Sequence, residues 1–294
     1  RIGAVTGATG EELDKLRAAA EEMGATTQFT ATEAANGLEI LGRAGLDATE
    51  SVETLPSVLQ LAQASGMQLA EAAGVVTDSL GAMGQGVQEA GRFADLLAQG
   101  ARLANTDVQK LGQALSQAGV QAAQMGLSAE ETVGVLDALA NAGIRGERAG
   151  TALRNILSQL QDPASKARRE LAELGIETSD LTEVIGGLEQ AGPAAQSAVL
   201  AFGREAGPAL RTLLDQGRSG IAEYVTALND AEGAAQTMAD EATDNLTGAL
   251  AGLGSAWDAL RRKLVDPLIE PIQRQVEALS GQLRSLAQGG SLEA

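Results

Sequence analysis

Apolar residues recur at every third or fourth position along almost the whole chain, and the strict alternation typical of β-strands is almost absent. Glycines fall between the apolar stretches, where the C-terminal caps of helices lie. The pattern therefore predicts an all-α fold. The predicted helices cover residues 10–23, 31–43, 48–64, 68–83, 87–103, 107–124, 129–142, 147–161, 164–174, 179–190, 194–202, 204–216 and 219–229, with a longer helical run at about 232–286.

Two of these helices begin with the same capping box, Thr30–Glu33 and Ser128–Glu131, in which hydroxyl and carboxylate each satisfy a backbone amide. Shifting the chain by 98 residues, the distance from the first box to the second, also aligns Gly45 with Gly143 and keeps the apolar positions in phase. We infer a multi-helix domain of antiparallel helical hairpins over residues 1–230, with a possible internal duplication. The alternative is that any two Ala- and Leu-rich helices ending in Gly align in this way.

After residue 230 the apolar residues first follow a heptad spacing and then steps of four, which indicates a long coiled-coil-like helix. Pro267 and Pro271 interrupt this helix. Three regions follow: a globular helical domain at 1–230, a long helical segment at 231–288, and a flexible tail or cloning remnant at 289–294. The apolar residues predicted to mediate self-association, here called the seam, are Leu246, Leu250, Leu253, Trp257, Leu260, Leu264, Leu268, Ile272, Val276, Leu279 and Leu283.

The composition excludes several kinds of chemistry. The 294 residues include no Cys and no His, so disulfides, thiolate zinc sites and His-dependent nucleophiles cannot form. A net charge of −18 repels phosphate and anionic lipid, so we expect no direct binding of nucleic acid. No apolar run is long enough to span a membrane. The chain starts at Arg1 without a signal peptide, which favours a fragment of a longer protein.

No motif predicts a catalytic, cofactor-binding or metal-binding residue. Adjacent carboxylates such as Glu130 and Glu131 are typical of solvated faces and first helical turns. The Gly-rich stretches 81–86 and 143–146 lack the Gly-Lys-Ser/Thr of a phosphate loop and are interpreted as turns. No calcium-binding Asp-x-Asp-x-Asp-Gly loop is present.

One polar pattern stands out between two predicted helices. Arg145, Arg148 and Arg154 lie on and after the turn that follows Asn141. Two interpretations remain open: a turn fixed by ion pairs with Glu147 and other acids, or a docking surface for another subunit.

The same stretch resembles the core region of the phage tail tape measure protein family. The resemblance rests on the run Asn141-Ala-Gly-Ile-Arg-Gly-Glu-Arg-Ala-Gly-Thr-Ala-Leu-Arg, with support from residues 24–35 and 201–210, and it covers roughly residues 1–230. It implies a long, largely helical virion protein without catalytic residues. Several copies of such proteins lie in the tail tube lumen, set the tail length, and leave ahead of the DNA.

From this resemblance we expect a homo-oligomer of three- or six-fold symmetry. The further partners expected are the tail tube, the tail tip or baseplate, and tail assembly chaperones. The expected location is the lumen of the tail in the virion, and the host cytoplasm during assembly. Two alternatives remain: a helical adaptor or assembly chaperone, and a cell-wall-degrading domain, which would need an aromatic-lined cleft with a buried Glu.

Overall fold

The computed structural model describes residues 2–243, 254–257, 259–260 and 263. Every regular element in this part of the chain is helical, which confirms the all-α prediction. The α-helices are α1 (Ile2–Thr6), α2 (Glu11–Thr26), α3 (Ala31–Arg43), α4 (Ala48–Ser65), α5 (Leu69–Ala82), α6 (Ala90–Leu103), α7 (Val108–Gln124), α8 (Ala129–Asn141), α9 (Glu147–Gln161), α10 (Lys166–Glu173), α11 (Leu181–Ala191), α12 (Ala195–Ala201), α13 (Gly203–Asn229) and α14 (Ala234–Thr243). Short 3₁₀ turns precede α6 and α12.

Both predicted capping boxes are confirmed. Thr30 Oγ1 accepts from the Glu33 amide at 3.2 Å, and the Glu33 carboxylate accepts from the Thr30 amide at 2.7 Å. Ser128 and Glu131 exchange the equivalent pair at 3.0 and 2.8 Å. A third box, at the start of α4, was not predicted because its N-cap residue is Asp47 rather than Ser or Thr. The short helix α1 was not predicted either.

The helices α3 and α8 end in the same kind of turn. Gly45 and Gly143 have φ of +97° and +90°, a conformation that costs glycine little. The amide after each glycine reaches back to the carbonyl of Leu41 or Leu139, at 3.2 and 3.0 Å, as in a Schellman motif. The internal duplication suggested by the 98-residue shift remains a prediction.

One continuous apolar core runs through the described part of the chain. The most extensive helix contacts are those of α7 with α9, α8 with α13, α4 with α14, α2 with α3, and α5 with α7. Several of these contacts depend on glycine. A Cβ at Gly150 of α9, for example, would lie 2.2 Å from the Ala114 carbonyl oxygen of α7. The small residues therefore allow helices to approach closely, in accordance with the Ala- and Gly-rich sequence.

The helix α13 bends at Gly217, where φ of +76° and ψ of 164° are not helical. This matches the predicted interruption between 204–216 and 219–229. The bend is stabilised from outside the helix: the Glu189 carboxylate of α11 accepts from the Arg218 amide at 3.0 Å.

The helix α14 packs against α4 and α6 through Ala234, Ala235 and Ala239. Its amino end is capped from another helix, because the Asp95 carboxylate of α6 accepts from the amides of Gly233 and Ala235, each at 2.9 Å. These contacts satisfy donors that a helix terminus cannot satisfy by itself. They attach the start of the predicted 231–288 segment to the helices before it. Pro267, Pro271 and the predicted tail at 289–294 lie outside the described residues.

Candidate interaction surfaces

The three arginines of the predicted docking turn point to different neighbours. Arg145 is half-buried, and its Nε donates to the Ala140 carbonyl at 3.2 Å. Its charge also acts on Asp107, whose pKa burial alone would raise. Hydrogen bonds from Lys110, and the charges of Lys110 and Arg145, outweigh burial and lower that pKa.

Arg154 lies on the side of α9 that faces α7, where its Nη1 donates to Gln117 Oε1 at 3.3 Å. Arg148 faces the opposite neighbour, α13, and is exposed. Within the described part of the chain, none of Arg145, Arg148 and Arg154 makes an ion pair. The turn is instead held by backbone hydrogen bonds and its glycines, and the three arginines do not form one cluster.

Arg148 lies at one end of a groove that runs over α9, α12 and α13. The groove consists of two adjacent cavities of about 380 and 490 Å³, which share Arg204 and Pro208 as lining residues. The lining of the first cavity is about equally polar and apolar, and it includes Glu147 and Glu205. The second is mostly apolar and is lined by Gln196, Val199, Leu200, Gly203, Arg204, Gly207, Pro208 and Arg211.

Little in the amino-acid pattern indicates this groove. Leu200 was assigned to a short helix but not to any surface feature, yet its side chain is 70% exposed. Arg204 lies in the stretch that supported the family resemblance, but no role was predicted for it. A signal was available in the spacing of Arg204 and Arg211, two helical turns apart and therefore on one face.

Two seam residues lie within the described part of the chain. Trp257 and Leu260 are 68% and 48% exposed, and no other described helix covers them. Nearby Ser255 is buried, and its Oγ donates to the Gln28 carbonyl at 2.7 Å. The remaining seam residues lie outside the described residues: Leu246, Leu250, Leu253, Leu264, Leu268, Ile272, Val276, Leu279 and Leu283. The seam as a whole is therefore still a prediction.

The same 98-residue shift places Asp137 opposite Glu39. Nothing in the sequence marks Asp137 as unusual. Its side chain is fully buried in α8, and neither carboxylate oxygen has a hydrogen-bond partner among the described residues. A Cβ at Gly100 would lie 3.1 Å from Asp137 Oδ2, so glycine on α6 leaves room for the carboxylate. Burial raises the pKa of Asp137 to about 8.

A shifted carboxyl pKa is typical of catalytic acids, but a catalytic acid must also reach its substrate. Asp137 does not, because helix packing covers it completely. The other buried carboxylates, Glu39 and Glu130, are ion-paired with Arg43 and Arg92. Among the described residues there is no cluster of three metal-ligating side chains and no helix that could span a membrane.

Comparison with known proteins identifies the family. Residues 17–264 match the family of phage-related minor tail proteins. A tape measure protein of Pneumococcus phage Dp-1 is 33% identical over 284 residues, which cover 92% of this chain and 25% of that protein. The chain belongs to the phage tail tape measure family. A probable tape measure protein of Escherichia phage P2 is 30% identical over 271 residues, 87% of this chain and 33% of that protein.

This membership confirms the resemblance and extends it beyond residue 230, where the sequence motifs ended. The chain spans between a quarter and a third of the length of these two relatives. No solved structure matches it significantly.

Proposed function

We propose that this tape measure segment is a structural part of the phage tail that contributes to setting tail length and to scaffolding the tail tube, with a later role in DNA ejection. Family membership over residues 17–264 carries the proposal. The helical architecture supports it, because a helix has a fixed rise of 1.5 Å per residue and can serve as a ruler. The tail tube lumen would be its place in the virion, and the host cytoplasm its place during assembly.

Self-association through the seam is part of the proposal, with three- or six-fold symmetry expected. The exposure of Trp257 and Leu260 supports it, because large apolar side chains on one helical face are typical of a surface that another helix covers. The tail tube, the tip or baseplate, and assembly chaperones are the further partners that the proposal names. The alternative of an adaptor or chaperone outside the virion would predict that the segment is missing from mature tails.

The ruler role can be tested by deletion in the phage that encodes this chain. The variant lacks 28 residues, 246–273, of the predicted helical run. If these residues form a helix along the tail, the tail should shorten by about 40 Å. Electron micrographs of tails measure the difference, and a variant with 28 residues replaced rather than removed is the control. Unchanged tail length in the deletion would contradict the ruler role of this segment.

We further propose that the segment acts without catalysis. The buried Glu39 and Glu130 are held by arginines, and Asp137 is inaccessible, so none of them is placed as the acid of a cell-wall hydrolase. The purified segment should release no soluble fragments from purified peptidoglycan, with lysozyme as the positive control. Release of fragments would assign a cell-wall-degrading role instead.

A further inference from the structure

The groove over α12 and α13 has an apolar floor, and one of the side chains that form it is unusually exposed to solvent. Leu200 is 70% exposed although it is aliphatic, and Val199 and Pro208 continue the apolar surface. Glycine at position 207 lets α12 and α13 approach closely beneath this floor, because a Cβ there would lie 3.0 Å from the Val199 carbonyl oxygen. A floor of this kind fits an aliphatic side chain of a partner.

Three arginines surround this floor. Arg204 lines both cavities of the groove, Arg211 lines the apolar one, and Arg148 lines the other. Within the described residues, Arg148 and Arg204 have no ion-pair partner, and Arg211 has only an exposed pairing with Asp215 at 3.3 Å. The apolar cavity is lined by no acidic residue, whereas Glu147 and Glu205 lie beside Arg148 in the other cavity.

The charge that lines the apolar cavity is opposite to that of the whole chain. With 39 acidic and 21 basic residues, most of the surface repels an acidic partner, and a cavity lined by Arg204 and Arg211 and by no acidic residue is a local exception. Guanidinium groups are well suited to carboxylates, because their donors match two oxygens at once. Nucleic acid does not fit this groove, because phosphate gains nothing from an aliphatic floor and is repelled by the rest of the chain.

We propose that this groove docks an acidic segment of another polypeptide, in which an aliphatic side chain is flanked by carboxylates. The aliphatic side chain packs against Leu200 and Pro208, and the carboxylates pair with Arg204, Arg211 and Arg148. Electrostatic complementarity then selects the partner and orients it, while the apolar contact holds it. The inference concerns a different surface from the seam, so it does not depend on self-association.

The test measures binding of a fluorescein-labelled peptide, Asp-Glu-Leu-Leu-Glu-Asp-Leu-Leu-Glu-Glu, to the whole chain by fluorescence anisotropy. Saturable binding is expected in low salt and should weaken as salt rises. A second peptide, with Asn and Gln in place of Asp and Glu, retains the leucines and should bind much more weakly. Because the chain carries a net charge of −18, an acidic peptide has little tendency to bind elsewhere.

Two variants locate the binding. Arg204→Glu with Arg211→Glu should weaken the affinity by about tenfold or more, because two attractive charges become repulsive. Lys15→Glu with Arg17→Glu on α2 makes the same change in net charge at exposed positions away from the groove, and should leave the affinity nearly unchanged.

Leu200→Ala tests the apolar contact without a large risk to folding, because the side chain is 70% exposed. It should weaken binding several-fold. Circular dichroism spectra and thermal unfolding of every variant show whether the fold is retained.

Three results would overturn the proposal: no saturable binding of the acidic peptide, equal binding of the Asn/Gln peptide, or equal losses in the two double-charge variants. A fourth would reassign the groove. If the chain forms a dimer in sedimentation velocity that Arg204→Glu with Arg211→Glu abolishes and the acidic peptide dissociates, the occupant is a second copy of this chain rather than another polypeptide.

Discussion

The replacement Asp137→Asn removes a buried, titratable carboxyl group from the centre of α8. In the folded chain burial raises the pKa of Asp137 from an ordinary value of 3.8 to about 8. In the unfolded chain the carboxyl group is solvated and ionises near pH 4. Between these two values the folded state retains a proton that the unfolded state has lost, so the free energy of unfolding falls as the pH rises. Below about pH 4 both states are protonated, and above about pH 8 both are ionised.

The size of the change in the free energy of unfolding follows from the shift in the pKa of Asp137. Each pKa unit corresponds to about 1.4 kcal/mol, so a shift of this size amounts to about 5 kcal/mol between pH 4 and pH 8. That is a large share of the 5–15 kcal/mol that is typical of a folded domain. Asparagine has nearly the same shape and does not titrate. It carries the cost of unpaired polar atoms at every pH, but not the cost of burying a charge.

Urea unfolding followed by circular dichroism at several pH values measures the difference in stability between Asp137→Asn and the original chain. The variant should gain stability relative to the original as the pH rises from 5 to 8, by several kcal/mol in total. Glu39→Gln is the matched control, because Glu39 occupies the aligned position but is paired with Arg43. It should lose the ion pair with Arg43. A stability difference for Asp137→Asn that stays constant from pH 5 to 8 would refute the reasoning.

Three further changes test packing, attachment and the seam. Gly150→Ala should lower the free energy of unfolding by about 1–3 kcal/mol, because the new Cβ would meet a backbone oxygen at 2.2 Å. Gly74→Ala on α5 has open space around it and should raise the free energy of unfolding by about 0.5–1 kcal/mol. Equal effects of the two replacements in urea unfolding would contradict this account. Asp95→Ala removes the cap of α14 and should speed amide hydrogen exchange in 234–243 at least tenfold, while exchange unchanged there would show that helix packing alone holds α14. Trp257→Glu with Leu260→Glu should lower the sedimentation coefficient of an assembled chain, and an unaltered coefficient would exclude these two residues from the seam.

The sequence alone determined much of the secondary structure of the tape measure segment. Helix α3 has the predicted bounds, and the capping boxes at Thr30 and Ser128 form as expected, because a cap depends on residues three positions apart. The interruption at Gly217 was also predicted, since glycine adopts a positive φ at little cost and commonly lies where a helix ends. Interactions between residues a few positions apart decide these features, so the features can be predicted from short stretches of sequence.

The surfaces depended on tertiary structure. Arg145, Arg148 and Arg154 are neighbours in sequence, yet packing of α9 between α7 and α13 separates them and brings Arg148 to Arg204 instead. A one-dimensional pattern cannot show which helices pack together, and it therefore cannot show which charges share a groove.

The burial of Asp137 has the same origin. Its sequence position resembles that of Glu39, but Glu39 has Arg43 one turn later, and Asp137 has Asn141 there. Only the packing of α6 against α8 at Gly100 encloses the Asp137 carboxylate and deprives it of solvent. The sequence specified a chain of capped helices, and their packing decided which polar groups face water, a partner or the core.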